Sequence, residues 1–372
     1  MYNPQNYSQE AIKSTLSLSN GTRKVSFRYD LLNLNDIKIG ELDGVIQANI
    51  SYGEFRAIKR SATFKLNEYL QKNIDYLSNQ IQPWFRLHMP DGGIVEWPLG
   101  IFLLESPARV VNGKVNTRDI GAYDKTIIVE QDKFTRRFFF EAGTNYVTAV
   151  TRILNTAGIT KINITDSPHV FTNDREYALG TKKHLACNDL LREINFTSLW
   201  VDEHGFMRSE PYIEPSNRSV THVYNTDVDS VVTPEFIEKL EIANRANVFI
   251  RVAVNLDGER ELVSTFINDD IRSPISTVNR GRQIVDYEEI QEIASQEALD
   301  SLVRRMAIES TSAFTHLSFG TALMPTHGNS ETLLCIFPDV FQAPLKFHET
   351  SWEMPLAHDG IMSHEARMVV QI

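Results

Sequence analysis

The sequence has few cysteines, no excess of positive charge and no long hydrophobic run, and each shortage excludes a class of protein. Two cysteines, Cys187 and Cys335, in 372 residues exclude a disulfide framework and favour buried free thiols. The formal charge is −11, from 37 basic and 48 acidic residues, which argues against a protein that wraps nucleic acid. No apolar run approaches the length of a membrane span. The polar N-terminus resembles no signal peptide, so we expect synthesis in a cytoplasm without the usual export.

Motifs of common enzymes are also missing. The chain contains no G-x-S-x-G, P-loop, G-x-G-x-x-G or C-x-x-C. Ten histidines suggest a metal site, and the densest group holds His348, His358 and His364. None of these has the second His four residues on that helical zinc proteases need, and a structural zinc needs four ligands. We therefore expect ordinary strand and surface histidines, with a metal site as the alternative.

One acidic turn resembles the start of a calcium loop. Asn225, Asp227 and Asp229 stand at alternate positions. However, Ser230 occupies the position that needs glycine, and Phe236 occupies the position that needs glutamate. A turn rich in acceptor groups is the better interpretation.

Other charged segments are equally unspecific. Paired acidic residues occur at 201–203 and 268–270. Glycoside hydrolysis needs two carboxyls about 5–10 Å apart in a cleft, which neighbours on a turn do not provide. The basic segment 279–283 is too small for a nucleic-acid site and predicts a loop or a partner contact. The residues alone thus predict no catalytic, metal or cofactor site.

Hydrophobic patterning in the first third is that of β-strands. Alternating apolar residues between turns predict strands at 61–67, 84–89 and 95–107. The last of these is apolar on both faces, so both faces should be covered, and Pro98 should mark an edge or a bulge. Asn-Gly in the segment 111–114 predicts a tight hairpin.

The middle of the chain has helical spacing instead. We expect a helix over 144–158, capped by Thr144 and stopped by Gly158, and a second helix over 184–194. The segment 198–212 then predicts a strand, a turn and a strand.

The last third returns to strands and has one long helix. A hairpin is expected from strands at 247–254 and 261–267 with a turn at 255–258, and the helix is expected at about 287–309. Four more strand-like runs close the chain, at 312–319, 331–337, 345–352 and 366–372.

Four segments resemble, in the same order, motifs of the tail and baseplate hub proteins of bacteriophages and prophages. They are EWPLGIFLLESPARVVNGKVNTRDIGAYDKTIIVEQDK (96–133), LLREINFTSLWVDEHGFMRSEPY (190–212), EIANRANVFIRVAVNLDG (241–258) and SWEMPLAHDGIMSHEARMVV (351–370). Each motif is short, but together the resemblance covers roughly residues 25–372.

The resemblance implies a β-rich α+β fold with two tail-tube-like β-barrel domains and a small inserted α+β domain. The first barrel would take residues 1–125, completed by about 211–238. The small domain would take 126–210. The second barrel, with the long helix, would take 239–372.

The resemblance also implies a function. The chain would be a homotrimeric structural hub at the distal end of the tail, joining the tail tube to the tip and closing or gating the channel for DNA ejection. Its partners would be the distal tail protein and the tail tube, with the tape measure protein and receptor-binding proteins as further candidates. Genomic DNA would pass without specific binding, and no cofactor or membrane insertion is implied. The protein would reside in the virion after assembly in the bacterial cytoplasm.

Two alternatives stay open. Long members of this family continue into wall-degrading regions, whereas this sequence resembles the short form of siphophages such as those of lactococci. Lytic activity is therefore not carried over, although a cell-wall-degrading tail hydrolase remains the alternative from another functional class. A hub of a contractile tail or tail-like bacteriocin, carrying a spike, is the other.

Overall fold

The fold is dominated by one large β-sheet. A computed structural model describes residues 1–17, 23–70, 74–113, 115–227, 230–241, 245–254, 261–290 and 293–370. Fourteen strands join in that sheet, and three smaller sheets and six helices accompany it in the described ranges. The predicted β-rich α+β class is therefore confirmed.

The first third begins with one short helix and continues as a strand-rich unit. Its elements are α1 (Gln9–Leu16), β1 (Lys24–Leu32), β2 (Lys38–Glu41), β3 (Val45–Gly53), β4 (Arg60–Asn67), β5 (Gln80–His88), β6 (Ile94–Pro98), β7 (Phe102–Asn112) and β8 (Val115–Tyr123). The strands predicted at 61–67 and 84–89 are confirmed, with Phe64 and Phe85 buried on the core-facing side. The hairpin at 111–114 is confirmed by the pairing of Asn112 with Val115.

The single strand predicted at 95–107 is wrong, because the chain turns a corner within it. Strand β6 ends at Pro98 and β7 begins at Phe102. Between them, Gly100 has a φ of +128°, which a residue with a side chain rarely adopts. Among the strands of the described ranges β6 pairs only with β5, apart from an isolated bridge between Glu96 and Tyr2, so Pro98 does lie in an edge strand, where its missing N–H is tolerated.

The middle of the chain forms a smaller α+β unit. It contains α2 (Thr126–Gln131), β9 (Phe138–Phe140), α3 (Tyr146–Thr156), β10 (Ile162–Ile164), β11 (Arg175–Tyr177), α4 (Lys183–Glu193), β12 (Trp200–Val201) and β13 (Met207–Ser209). Both predicted helices are present, but Asn145 rather than Thr144 caps α3, since its side chain accepts a hydrogen bond from Thr148 N at 3.1 Å.

The last part contains nine further strands of two different sheets and the long helix. Its elements are β14 (His222–Asn225), β15 (Val232–Leu240), β16 (Val248–Val254), β17 (Glu261–Ile267), α5 (Thr277–Arg280), β18 (Val285–Ile290), α6 (Gln296–Ser312), β19 (Thr315–Ala322), β20 (Thr332–Ile336), β21 (Leu345–Pro355) and β22 (Ile361–Met368). The predicted strands 247–254 and 261–267 are confirmed, and the turn predicted at 255–258 lies outside the described residues.

The long helix begins later than predicted. Residues 285–290, at the start of the expected helix 287–309, form β18, and α6 begins only after Ser295. The Ser295 side chain accepts a hydrogen bond from Ala298 N at 3.2 Å, as a helix N-cap does. The four closing strands are present as β19 to β22, although the last ends at Met368.

The two β-rich parts share the large sheet. Its strand order is β15-β19-β22-β21-β3-β4-β8-β7-β5-β1-β2, and the antiparallel pair of β21 with β3 joins the late strands to the early ones. The path has two different ends, so the sheet is not closed into barrels, and that part of the predicted fold is wrong. Strands β14 and β15, from the segment expected to complete the first barrel, pair with β20 and β19 instead.

Four hydrophobic cores lie on these sheets. The first packs β1–β8 against Trp352 and Met354 of β21, so it draws on both ends of the chain. The second lies between α3, α4 and the small strands. The third packs α6 on β16–β18, and the fourth lies among β14, β19, β20, β21 and β22. None of the helices in the described ranges has the length and apolarity to cross a membrane.

Candidate functional site

The two cysteines are buried free thiols, as predicted. Cys187 lies in the second core and Cys335 in the fourth. Burial raises the pKa of both thiols, that of Cys335 to about 12. A thiol that stays protonated is a poor nucleophile, so both residues serve as small apolar side chains.

The three clustered histidines have three different environments. His358 is exposed beside Asp359. His348 is buried, and its Nε2 lies 2.6 Å from Glu54 Oε2. His364 is also buried but contacts Glu349. The structure therefore does not assemble a site from His348, His358 and His364.

The acidic turns have structural partners of their own. Asp202 is buried, and its carboxylate accepts hydrogen bonds from the backbone N–H groups of His204 and Phe206 and from Arg208 Nε. Asp270 is paired with Arg272 at 2.6 Å. These carboxylates fix turns.

The turn that resembled a calcium loop also differs from one. Asn225 ends β14 and its side chain donates to Asp227 at 2.5 Å, while Asp229 lies outside the described residues. Phe236, at the position of the essential glutamate, lies within β15 against Phe337. The basic segment 279–283 overlaps the short helix α5, whose Arg280 donates to the carbonyl oxygen of Arg245.

The fourth core contains a buried polar group that we call the His–Glu–His network, formed by His327, Glu349 and His364. The Nδ1 atoms of His327 and His364 lie 2.7 and 2.6 Å from the two carboxylate oxygens of Glu349. His327 Nε2 lies 2.6 Å from the Tyr224 hydroxyl, and His364 Nε2 lies 2.7 Å from the Thr321 hydroxyl. Every ring nitrogen therefore has a partner.

Burial alone would raise the pKa of the Glu349 carboxyl. The charge of His327 and the hydrogen bonds from both histidines outweigh burial and lower it to about 2. The network is thus an ionised carboxylate that accepts from two rings, and it links β14, β19, β21 and β22 with the loop before β20. The potential ligand atoms of the three residues lie within 4.8 Å of one another, the one such group among the described residues. Because those atoms are already hydrogen-bonded together, the network needs no ion to satisfy it.

A second feature is a cleft of about 580 Å³, which we call the cationic cleft. Its charged lining residues are Arg56, Lys59, Lys182, Arg218, Arg305, Glu54, Glu130 and Glu309. Five cationic side chains thus face three carboxylates, in a chain that is acidic as a whole.

The cleft is built where several parts of the chain meet. The loop between β3 and β4 supplies residues 54–59, and the small α+β unit supplies His184 and Asn188 from one turn of α4, whose side chains lie 3.0 Å apart. Helix α6 supplies Arg305 and Glu309, again one turn apart and paired at 2.8 Å. Sequence reasoning missed the cleft because its lining residues come from segments too far apart for any local motif.

Exposed apolar side chains lie on one face of the sheet of β16–β18, which we call the uncovered face. Helix α6 packs on the face that carries Phe249 and Ala253. The opposite face carries Val248, Ile250 and Val252 of β16 with their register partners on β17 and β18. Among these partners, Val263, Ile267, Val285 and Tyr287 are 47–55% exposed. Exposed contiguous apolar surface of this kind marks an interaction site.

Comparison with solved structures identifies the fold. The tail protein of Neisseria meningitidis MC58 superimposes with a TM-score of 0.66 over 93% of this chain and 97% of its own, at 9% identity. The 43 kDa tail protein of prophage MuSo2 from Shewanella oneidensis superimposes with a TM-score of 0.63 over 92% of this chain and 98% of its own, at 10% identity. The chain has the fold of phage tail proteins. Prophage tail protein gp18 of Listeria monocytogenes EGD-e agrees, with a TM-score of 0.53 over 91% and 94% at 11% identity.

The tail-protein fold covers nearly the whole chain in each of these comparisons, which confirms the predicted resemblance at the level of fold. No protein-family model and no curated protein matches the sequence. The identity to these three proteins is only 9–11%, so the fold is shared although few residues are.

Proposed function

We propose that this chain is a non-enzymatic, homotrimeric hub at the distal end of a bacteriophage tail, joining the tail tube to the tip and closing or gating the channel for DNA ejection. The observation that carries the proposal is the match of fold from end to end with phage tail proteins. Its partners are the distal tail protein and the tail tube, and its place is the tail tip of the virion. The proposal includes the domain division into 1–125, 126–210 and 239–372, with the two outer domains alike in structure.

The uncovered face of β16–β18 supports a trimer. A closed ring buries the same interface on each subunit and leaves no end exposed. The face carries the exposed side chains of Val263, Ile267, Val285 and Tyr287, and α6 packs on the other side of the sheet. A formal charge of −11 suits a ring through which DNA passes, because phosphates would bind a lumen lined with Lys and Arg.

We expect light scattering to give the mass of a trimer for the full chain, alone or with its distal tail partner. Ile267→Asp, which places a charge on the uncovered face, should shift the population to monomer because the interface would have to bury that charge. Val111→Asp is the control, since Val111 is also an exposed strand residue but lies at the β7–β8 hairpin. A monomer in both wild-type samples would contradict the trimer.

We also expect no peptidoglycan hydrolysis by the pure protein. Changing Asp202, Glu203, Asp269 and Asp270 to Asn or Gln should leave the zymogram unchanged, because Asp202 is held by the backbone of its own turn and by Arg208, and Asp270 by Arg272. Release of wall fragments by the wild type, and its loss in these variants, would instead support the hydrolase alternative.

A further inference from the structure

The cationic cleft is lined by a largely buried lysine whose ammonium has no protein partner among the described residues. Lys59 is 4% exposed and lines the cleft. Among the described residues, no hydrogen-bond acceptor and no carboxylate within 4.0 Å pairs with its Nζ, although Glu54 acts on it through space. Burial lowers the pKa of Lys59, as expected for a charge removed from water. Buried charges in native proteins are normally paired, so a largely buried ammonium that faces a cleft without a protein partner is suited to bind an anion there.

The Tyr212 hydroxyl is a second unpaired donor in the same cleft. It is inaccessible to solvent and has no hydrogen-bond partner. The guanidinium groups of Arg305 and Arg218 lie 4.3 and 5.6 Å from the centre of its ring, which fixes the ring in place. Burial raises the pKa of Tyr212, so the hydroxyl keeps its proton and can donate.

The carboxylates of the cleft are already engaged. Glu54 accepts from His348 at 2.6 Å and from Ser330 at 3.0 Å. Burial would raise its pKa, but the charge and hydrogen bond of His348, with the charges of Lys59 and Arg218, lower it to about 2. Glu309 is paired with Arg305, and Glu130 with Lys182 and His184. The five cations therefore exceed the three carboxylates by two charges, and Lys59 is the one left without a contact.

We infer that the cationic cleft is a binding site for an oxyanion, a carboxylate or phosphate group, held by Lys59 Nζ and the Tyr212 hydroxyl with Arg218 and Arg305 beside them. An oxyanion carries several acceptor oxygens and a negative charge, which suits a cleft that offers these two donors and an excess of positive charge. The volume of about 580 Å³ is that of a small-molecule site, so the oxyanion can belong to an organic molecule as well as to inorganic phosphate.

The test uses the full chain and two probes, inorganic phosphate and succinate, titrated by calorimetry at pH 7 and constant ionic strength. We expect saturable binding of one probe per chain, and the better probe tells whether the site favours phosphate or carboxylate. Lys59→Met should weaken binding at least tenfold, and Tyr212→Phe several-fold. Lys13→Met, the same change at an exposed position of α1, should bind like the wild type.

Stability provides the second measurement. Without ligand, Lys59→Met should melt at or above the wild-type temperature, since it removes an unpaired buried charge, so lost binding cannot be attributed to unfolding. Addition of the better probe should raise the melting temperature of the wild type but not that of Lys59→Met. Tyr212→Phe removes only a hydroxyl and repeats the test independently. Absence of saturable binding for both probes, or wild-type affinity in Lys59→Met, would overturn the assignment.

Discussion

Replacing Glu349 with Ala is expected to lower the free energy of unfolding by about 3–5 kcal/mol, the cost of removing one partner from a buried charged group. The carboxylate is fully buried and accepts from both His327 and His364. Without it, two buried ring N–H groups lose their acceptor and a cavity remains in the fourth core. Urea denaturation of the wild type and the variant measures the difference.

Glu349→Gln should cost far less, about 1 kcal/mol, because the network can be satisfied again. The amide oxygen accepts from His327, and the amide NH₂ donates to His364 Nδ1 if that ring moves its proton to Nε2. Thr321 can accept that proton, since its hydroxyl also lies 2.8 Å from the carbonyl oxygen of Ala322, to which it donates. A rotatable hydroxyl therefore makes the network tolerant of this one substitution.

Glu353→Ala is the matched control. Glu353 lies on the same strand, β21, but is exposed and bonds only Asn49 at 2.6 Å. Glu353→Ala should change the free energy of unfolding by no more than about 0.5 kcal/mol. If Glu349→Ala costs no more than Glu353→Ala, the network contributes nothing to stability and our interpretation of it is wrong.

The sequence predicted the elements well where one local signal dominated. Alternation located β4 and β5, and Asn-Gly located the β7–β8 hairpin. The corner between β6 and β7 was hidden because Trp97, Leu99 and Phe102 are all buried, so the apolar run continues through the turn. Only Pro98 and Gly100 marked it.

Helix α6 shows a related difficulty. Ile290 and Ile293 lie in the same core as Ala298 and Leu302, so helical spacing extended the prediction backwards over β18. The N-cap Ser295 was the local signal that separated them. Residues of β18 and α6 pack onto the same core, so their apolar spacing resembles that of one continuous helix although two separate elements are present.

The buried network and the cleft could not be predicted from sequence, for a different reason. Alternation along β21 does place His348 and Glu349 on opposite faces, which explains their separate partners. But His327 comes from a loop, and Lys59 and Tyr212 come from distant segments. Only the folded sheet, in which β21 pairs with β3, brings these regions together.

The ring stack next to the network predicts a loss of stability in weak acid. The ring of His222 lies flat on that of His327, with 4.0 Å between the centres, and its Nε2 lies 3.9 Å from Glu331. Burial, followed by the charge of His327, lowers the pKa of His222 to about 3, with Glu349 opposing and His364 adding to the effect.

The sign follows from proton uptake. An unfolded His has a pKa of about 6.5, so the unfolded chain is protonated at this position below that pH. In the folded chain His222 is protonated only near pH 3. The stabilisation is present above pH 6.5 and lost as the pH falls. Glu54 and Glu349, whose pKa values are lowered to about 2, extend the loss below the unfolded value of about 4.5. Glu331, whose pKa is raised by burial, works in the opposite direction.

We therefore expect the free energy of unfolding to fall by about 2 kcal/mol between pH 6.5 and 4.5 on account of His222, since each pH unit costs about 1.4 kcal/mol per unmatched proton and the unfolded ring is only half protonated at pH 6.5. His222→Gln should remove most of that slope, because glutamine does not titrate and Glu331 remains in both proteins. His358→Gln is the matched control, since that histidine is exposed and lies outside the buried stack. Denaturation curves at half-unit pH steps measure all three slopes. Parallel slopes for His222→Gln and the wild type would show that His222 takes up its proton in the folded state as readily as in the unfolded chain.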